Sequence, residues 1–358
     1  MLMRYLNDPD GRKEARLSTA EVPDHDELLT RSSDFLCKYL VLSDKSRLFF
    51  AQNLSTHLAQ ILSFIRAKNP DISKIYISDH ELSWVKELIE IPGYQLDATH
   101  SNYRSNEDIV CPNFIVEVLS FSNFEKEIAG KKQAAVFYVS HVSRVTGEVA
   151  DIASIFKVVK NNNPNSVLIV DGAQSIGAMR DIEVEDNCDA YLGLSSKFIG
   201  AEPHLGFAFM SQNFFQKYLG DRKNYPAFSV DRHIKDIFSL WNSLQNPLYR
   251  SDFAAHIRTL KDYAVQKLSS LNGQVLFNPP HQAPHFLTLN FGSIEKNKKF
   301  VAFAEKEGMI VSENSGWTIT PPTIPLVRIG LSIRVTKQDV DAVIEKVSAH
   351  IKKEATRD

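Results

Sequence analysis

Two apolar runs in this sequence end on the residue types that amine chemistry needs. Val167-Leu168-Ile169-Val170 stops on Asp171, and an amide follows at Gln174 within Asp171-Gly172-Ala173-Gln174-Ser175-Ile176-Gly177. Further on, Leu192-Gly193-Leu194 runs into Ser195, Ser196 and Lys197, then Phe198-Ile199-Gly200. Taken singly, each has a plain explanation: aspartate at a strand end forms turns, and lysine is nearly always solvated. Together they outline a site where an unprotonated amine works beside a buried carboxylate.

Pyridoxal 5'-phosphate asks for such a set. A lysine forms its Schiff base, and a carboxylate facing the pyridine nitrogen keeps the ring protonated, because the protonated ring is the sink for carbanion electrons. A donor near the phenolic oxygen tunes the imine, while hydroxyls and a helix N-terminus hold the phosphate. Asp171, Gln174, Lys197, Ser195 or Ser196, and a helix start at Ser55 or Thr56 could supply those roles.

With these residues in place, the sequence resembles the class V aminotransferase and cysteine desulfurase family of fold-type I pyridoxal-phosphate enzymes, over about residues 50–345. Asp171-Gly172-Ala173-Gln174 is similar to the family's D-x-A-Q strand end, and Ser196-Lys197-Phe198-Ile199-Gly200 to its H-K-W-L-G lysine motif. Gly206-Phe207 resembles the glycine-aromatic pair that follows. Ser140-His141-Val142-Ser143-Arg144-Val145-Thr146-Gly147 resembles the S-H-V-S-N-x-x-G segment, and Asp79-His80-Glu81 the acidic-histidine cluster. Val327-Arg328-Ile329-Gly330, ahead of a T-x-x-D-V-D helix, looks like the segment whose arginine grips the substrate carboxylate. The resemblance implies Lys197 as Schiff-base lysine and proton shuttle, Asp171 against the pyridinium, and Gln174 on the phenolic oxygen. It implies Ser55, Thr56 and Ser196 on the phosphate, Arg328 on the carboxylate of an amino-acid-like substrate, and a homodimer with the site at its interface.

Departures from the family pattern shape the expected reaction. Desulfurases carry a nucleophilic cysteine before the arginine segment, whereas Val311-Ser312-Glu313-Asn314-Ser315-Gly316-Trp317 has none, so persulfide chemistry is disfavoured. Transamination is the first expectation, ahead of β-elimination or epimerisation. A degenerate member acting as a binding module is the rival class. Leu82 follows Glu81 where a ring-stacking residue is usual, which leaves His80 or Trp84 for that role. Arg144 stands in place of Asn or Tyr and could meet a second substrate acid group or a nearby carboxylate. Glu202 and His204, in the loop after the lysine, could add substrate contacts.

The elements that must position these residues are legible as patterns. Leu58, Ile61, Leu62 and Ile65 recur at helical spacing, with Ser55 or Thr56 as the cap. Unalternating apolar runs at 74–78, 113–119, 134–139, 167–170, 190–193 and 206–210, with helices between several of them, predict an α/β fold whose mostly parallel sheet is covered on both faces. Such sheets bind ligands at the carboxyl ends of their strands. After about residue 245 the texture changes: a helix over 248–271, strands near 274–277, 285–291, 309–311 and 326–329, a helix at 295–307, and a last helix opened by Thr336-Lys337-Gln338-Asp339. We expect an N-terminal arm over 1–30, a large cofactor domain over 31–245 and a smaller α+β domain over 246–358.

Composition sets the outer limits. A length of 358 residues exceeds one small core, and 43% hydrophobic residues argue against general disorder. A formal charge of −2 offers no field for nucleic acid or a membrane surface. The three cysteines, Cys37, Cys111 and Cys188, form no C-x-x-C pair, so no metal or disulfide framework is expected and the chain reads as cytoplasmic. Rival motifs fail: Ala178-Met179 stand where a P-loop needs Lys-Ser/Thr, no G-x-G-x-x-G follows a strand, and Pro284 denies His281 and His285 a zincin helix.

Overall fold

The computed structural model describes residues 25–44, 47–51, 53–90, 113–180, 182–197, 199, 205–221, 240, 243, 253–271, 276–279, 281–309, 311–313, 318–319, 326–332 and 335–355. Most of it is organised by one seven-stranded sheet. Helix α1 (His25–Tyr39) leads to β1 (Leu48–Ala51), α2 (Leu54–Lys68), β2 (Lys74–Ser78), α3 (Ser83–Glu90), β3 (Ile115–Leu119) and α4 (Phe124–Ile128). Then come β4 (Val136–Ser140), α5 (Ile152–Asn162), β5 (Val167–Asp171), β6 (Ala190–Leu194) and β7 (Gly206–Met210). The strand order is β1-β7-β6-β5-β4-β2-β3. Strands β3, β2, β4, β5 and β6 are mutually parallel, while β7 runs antiparallel to both β6 and β1.

Period-two geometry explains the unalternating apolar runs. Ile75, Ile77, Val136, Tyr138, Val167, Ile169 and Leu192 face one side and pack with α2 and α3. Tyr76, Phe137, Val139, Leu168, Val170 and Tyr191 face the other and pack with α1 and α5. Both faces of the central strands are therefore buried, and their interior positions are apolar on both sides.

A four-stranded antiparallel sheet follows, in the order β10-β11-β9-β8, from β8 (Leu276–Phe277), β9 (Phe286–Leu289), β10 (Ser312–Glu313) and β11 (Val327–Gly330). Helices α6 (Phe253–Ser269), α7 (Ile294–Lys306) and α8 (Lys337–Ala355) accompany it. The capping box is made: the Asp339 carboxylate accepts from Thr336 N at 2.8 Å and the Thr336 hydroxyl accepts from Asp339 N at 3.2 Å.

Three local expectations are corrected. Helix α1 begins at His25, inside the stretch read as an arm, because Leu28 and Leu36 bury fully against the core. The cap of α2 is Asn53, whose side chain accepts from Thr56 N, so Ser55 and Thr56 lie within the first turn. The strand expected at 309–311 forms instead at Ser312–Glu313, in register with Arg328 and Val327.

Candidate active site

Strands β2, β4 and β5 are parallel, so their carboxyl ends open onto the same side of the sheet, where the polar residues collect. Asp171 ends β5, in register with Ser140 at the end of β4. Its carboxylate accepts from the Tyr138 hydroxyl at 2.9 Å and from Ala173 N at 2.8 Å. Burial pushes the Asp171 carboxyl up, against those two hydrogen bonds and the positive fields of Lys197 and Arg144. Gly172 is required here, since a Cβ would lie 2.2 Å from the Tyr191 ring.

Glu81, just beyond β2, is buried and aims both oxygens at Ser140, accepting from its N–H and its hydroxyl at 2.7 Å each. Burial, with the Asp171 charge adding to it, pushes the Glu81 carboxyl up to about 8. A buried relay secures the floor of the site: His141 Nδ1 lies 2.8 Å from the Tyr191 hydroxyl, which lies 2.6 Å from the Ser175 hydroxyl. Glu81, His141 and Ser175 fall within the quoted motifs without a role of their own, and Tyr138 and Tyr191 are neighbours that sequence reasoning did not single out. The only signal of the two tyrosines was a hydroxyl within an otherwise apolar strand.

Lys197 follows the hydroxyl turn after β6. Burial, then the Arg144 and Arg328 charges, lower its amine to about 8, opposed by Asp171. Of the two serines before it, Ser195 closes the turn, its hydroxyl accepting from Leu205 N at 3.0 Å. Ser196 is fully buried beside it. Arg328 comes from β11 of the second sheet. It is buried, reaches across to donate to the Arg144 carbonyl at 2.7 Å, and lies over the Phe286 ring at 4.8 Å. Burial, helped by Arg144, lowers it to about 9.

The loop carrying Arg144 is braced from both sheets. Ser143 accepts from Val145 N and Thr146 N, and Ala283 N donates to the Gly147 carbonyl at 2.8 Å. Nearby, Ile319 N donates to the Glu81 carbonyl at 3.0 Å, and Leu82 bridges Thr318. His80 lies flat on Phe121, 5.1 Å between centroids, with Nδ1 2.8 Å from the Ser143 hydroxyl. Trp84 packs against the core. The structure thus brings Asp171, Lys197, Arg144 and Arg328 within electrostatic reach of one another. Glu202 and His204, and residues 314–317 of the loop read for a nucleophilic cysteine, lie outside the described residues.

The donor set fits pyridoxal phosphate. The Gln174 carboxamide oxygen is buried without a hydrogen-bond partner among the described residues, and a flip of the amide, whose two ends are alike in shape, turns its NH2 donor to that position. The first turn of α2 holds no acidic residue, so its positive end meets no side-chain charge of its own. Gly206 lets β7 pass the start of α2: a Cβ there would lie 2.5 Å from the Asn53 carbonyl carbon. In that turn the Thr56 hydroxyl donates to Asn53 at 3.0 Å, while no described residue bonds the Ser55 hydroxyl.

Comparison with known proteins agrees. The model of aminotransferase class V matches residues 116–217. Alanine–glyoxylate aminotransferase 1 of Saccharomyces cerevisiae is 29% identical over 123 residues, covering 34% of this chain and 32% of that protein. Cysteine desulfurase SufS of Plasmodium vivax is 34% identical over 84 residues, covering 22% of this chain and 15% of that protein. The chain is thus matched to less than a third of the length of either relative. Among solved structures, a K223A mutant of C-DES with glycine linked to its pyridoxal phosphate aligns over 95% of this chain and 90% of that one, with a TM-score of 0.69 at 14% identity. Cysteine desulfurase from Thermococcus onnurineus aligns over 92% and 85%, with a TM-score of 0.65 at 13% identity.

These likenesses overturn the ranking of transamination above lyase chemistry and the expectation that desulfurase chemistry is disfavoured. Desulfurases stand among both the sequence relatives and the matching folds. The expectation rested on the side chains of one short loop, whereas similarity across the cofactor domain is shared by both branches. Among the described residues no helix is long and apolar enough to cross a membrane, and no cluster suits a metal ion. The chain has the fold of the fold-type I pyridoxal-phosphate-dependent enzymes, and its residues 116–217 match the model of aminotransferase class V.

Proposed function

We propose that this enzyme is a lyase that removes a β-substituent, first of all a sulfur group, from an amino-acid substrate. The observation that carries the reading is the convergence of Lys197, Asp171 and Arg328 in one buried cleft, with the lysine amine lowered to about 8. The lyase branch is supported by likeness to the cystine C–S lyase C-DES and to cysteine desulfurases.

Bound here, pyridoxal phosphate supplies the electron sink for a carbanion at Cα. Asp171, fixed by Tyr138 and Ala173, holds a proton on the ring nitrogen. Gln174 meets the phenolic oxygen, and His80 is the ring neighbour. Ser55, Thr56 and Ser196 hold the phosphate, while Ser195 fixes the turn that delivers Lys197. The Lys197 amine, partly unprotonated near neutral pH, takes the Cα proton. Arg328, seated on Phe286, offers a planar fork to the α-carboxylate, which a lysine would match poorly. A homodimer and a cytoplasmic setting belong to the same reading, the latter supported by Cys37 and Cys188, buried and outside any disulfide.

Two measurements test it. Borohydride reduction followed by peptide mapping should leave the pyridoxyl group on Lys197; label elsewhere removes the cofactor assignment. Incubation with L-cysteine or L-cystine should yield keto acid, ammonia and a released sulfur compound. Accumulation of the pyridoxamine form without ammonia would return the reaction to transamination.

A further inference from the structure

Arg144 is a half-buried cation with no direct partner among the described residues. Its guanidinium forms no hydrogen bond or ion pair with any described residue, although burial lowers its pKa. A charge withdrawn from water is costly unless it is paired. Two carboxyls lie within electrostatic reach, Glu81 and Asp171, and both are engaged elsewhere: Glu81 with Ser140, Asp171 with Tyr138 and Ala173. The position is nevertheless fixed. The Ser143 hydroxyl ties down the two residues that follow Arg144, Gly147 closes the loop at φ +76°, and the Arg144 carbonyl itself anchors Arg328.

Charge counting points the same way. Lys197, Arg144 and Arg328 act on one another in this cleft. The α-carboxylate answers Arg328 and the ring nitrogen answers Asp171. Glu81 is largely protonated at neutral pH, so one guanidinium is left over.

We infer that Arg144 binds a second acidic group on the substrate, so that the site selects amino acids whose side chain carries a carboxylate or a sulfur oxyacid. This rests on the reading above only in giving the α-carboxylate to Arg328. Two unreactive probes, both lacking a Cα hydrogen, isolate the binding step: α-methylaspartate, with a second acid group, and α-aminoisobutyrate, without one. Titrated calorimetrically into the holoenzyme, the diacid should bind about tenfold or more tighter, the range of a hydrogen bond to a charged group. R144Q should remove that preference while leaving α-aminoisobutyrate unchanged. R144K, which keeps the charge but loses the fork, should retain part of it and serves as the second variant if R144Q does not fold.

No preference in the wild type, or equal weakening of both probes in R144Q or R144K, overturns the inference. Pyridoxyl label missing from Lys197 would instead overturn the cofactor reading, and the calorimetric preference would still judge Arg144 by itself.

Discussion

Asp171, half-buried, and Asp189, buried, are carboxylates on the same sheet, at opposite ends of neighbouring strands, and they are closed off differently. Asp189 precedes β6 at its amino end. It accepts from Leu168 N at 2.7 Å and is ion-paired with Lys160 at 2.7 Å. Asp171 ends β5 at its carboxyl end, takes two neutral donors, and has its cations, Lys197 and Arg144, held off as fields. Burial pushes both carboxyls up. The difference is in who answers the charge. At the amino end the chain answers it, and the pair holds the fold. At the carboxyl end no cation of the chain pairs with it directly, the arrangement proposed above as the cofactor site.

The strongest attack on this contrast goes through Lys197. K197A should abolish the borohydride label and lower turnover by roughly 10⁴-fold, the upper range for a proton-transfer group, with an unchanged thermal midpoint. Next come the two aspartates. D171N should lower kcat/KM by roughly 10²–10³-fold, with little change in urea midpoint. D189N should do the reverse, lowering stability by about 2 kcal/mol, less than a fully buried pair would lose because Lys160 is partly exposed. If D189N impaired turnover as much as D171N, the division of labour between the two ends would be wrong.

Glu81 sharpens the comparison by titration. Its folded pKa is raised from 4.5 to about 8, so between those values the folded state keeps a proton that the unfolded chain has released. That contribution is complete below about pH 4.5, declines as pH rises through the window, and is lost above about 8. Wild type should therefore lose roughly 2–3 kcal/mol relative to E81Q between pH 6 and pH 8. The carboxamide of Gln can still pair with Ser140 as a protonated acid does. Parallel urea midpoints for the two proteins across that range would show that Glu81 is ionised in the fold.

Much of this was legible in the sequence, because the large sheet is buried on both faces and such strands write themselves as continuous apolar runs ending in polar residues. Asp171, Gln174 and Lys197 stand out for that reason. Glu81 shows only as part of a cluster, without a role, because its meaning depends on Ser140, a partner supplied by a different strand. The branch of chemistry was misread for a related reason. One loop, 311–317, was made to decide a reaction that depends on how residues from both sheets meet. Arg144 and Arg328 illustrate the point, since one holds the other through a backbone carbonyl that no spacing rule reveals.

The cap of α2 gives the smallest effect and the finest separation. Asn53 accepts from Thr56 N at 2.8 Å and from the Thr56 hydroxyl at 3.0 Å, so the proton of Thr56 is already committed to the cap. Ser55, one residue earlier, has no hydrogen-bond partner among the described residues for its hydroxyl, which leaves a donor for a phosphate oxygen. N53A should cost about 1 kcal/mol of stability, as loss of a cap does, read as a lowered thermal midpoint of the apoprotein. S55A should leave that midpoint unchanged and weaken pyridoxal phosphate about tenfold, in keeping with one lost hydrogen bond to a charged group. T56A should show part of each effect, because its hydroxyl serves the cap first. Were S55A to destabilise the apoprotein and N53A to spare it, the sequence assignment of the cap to Ser55 would be right and the observed geometry at Asn53 would not be what starts this helix.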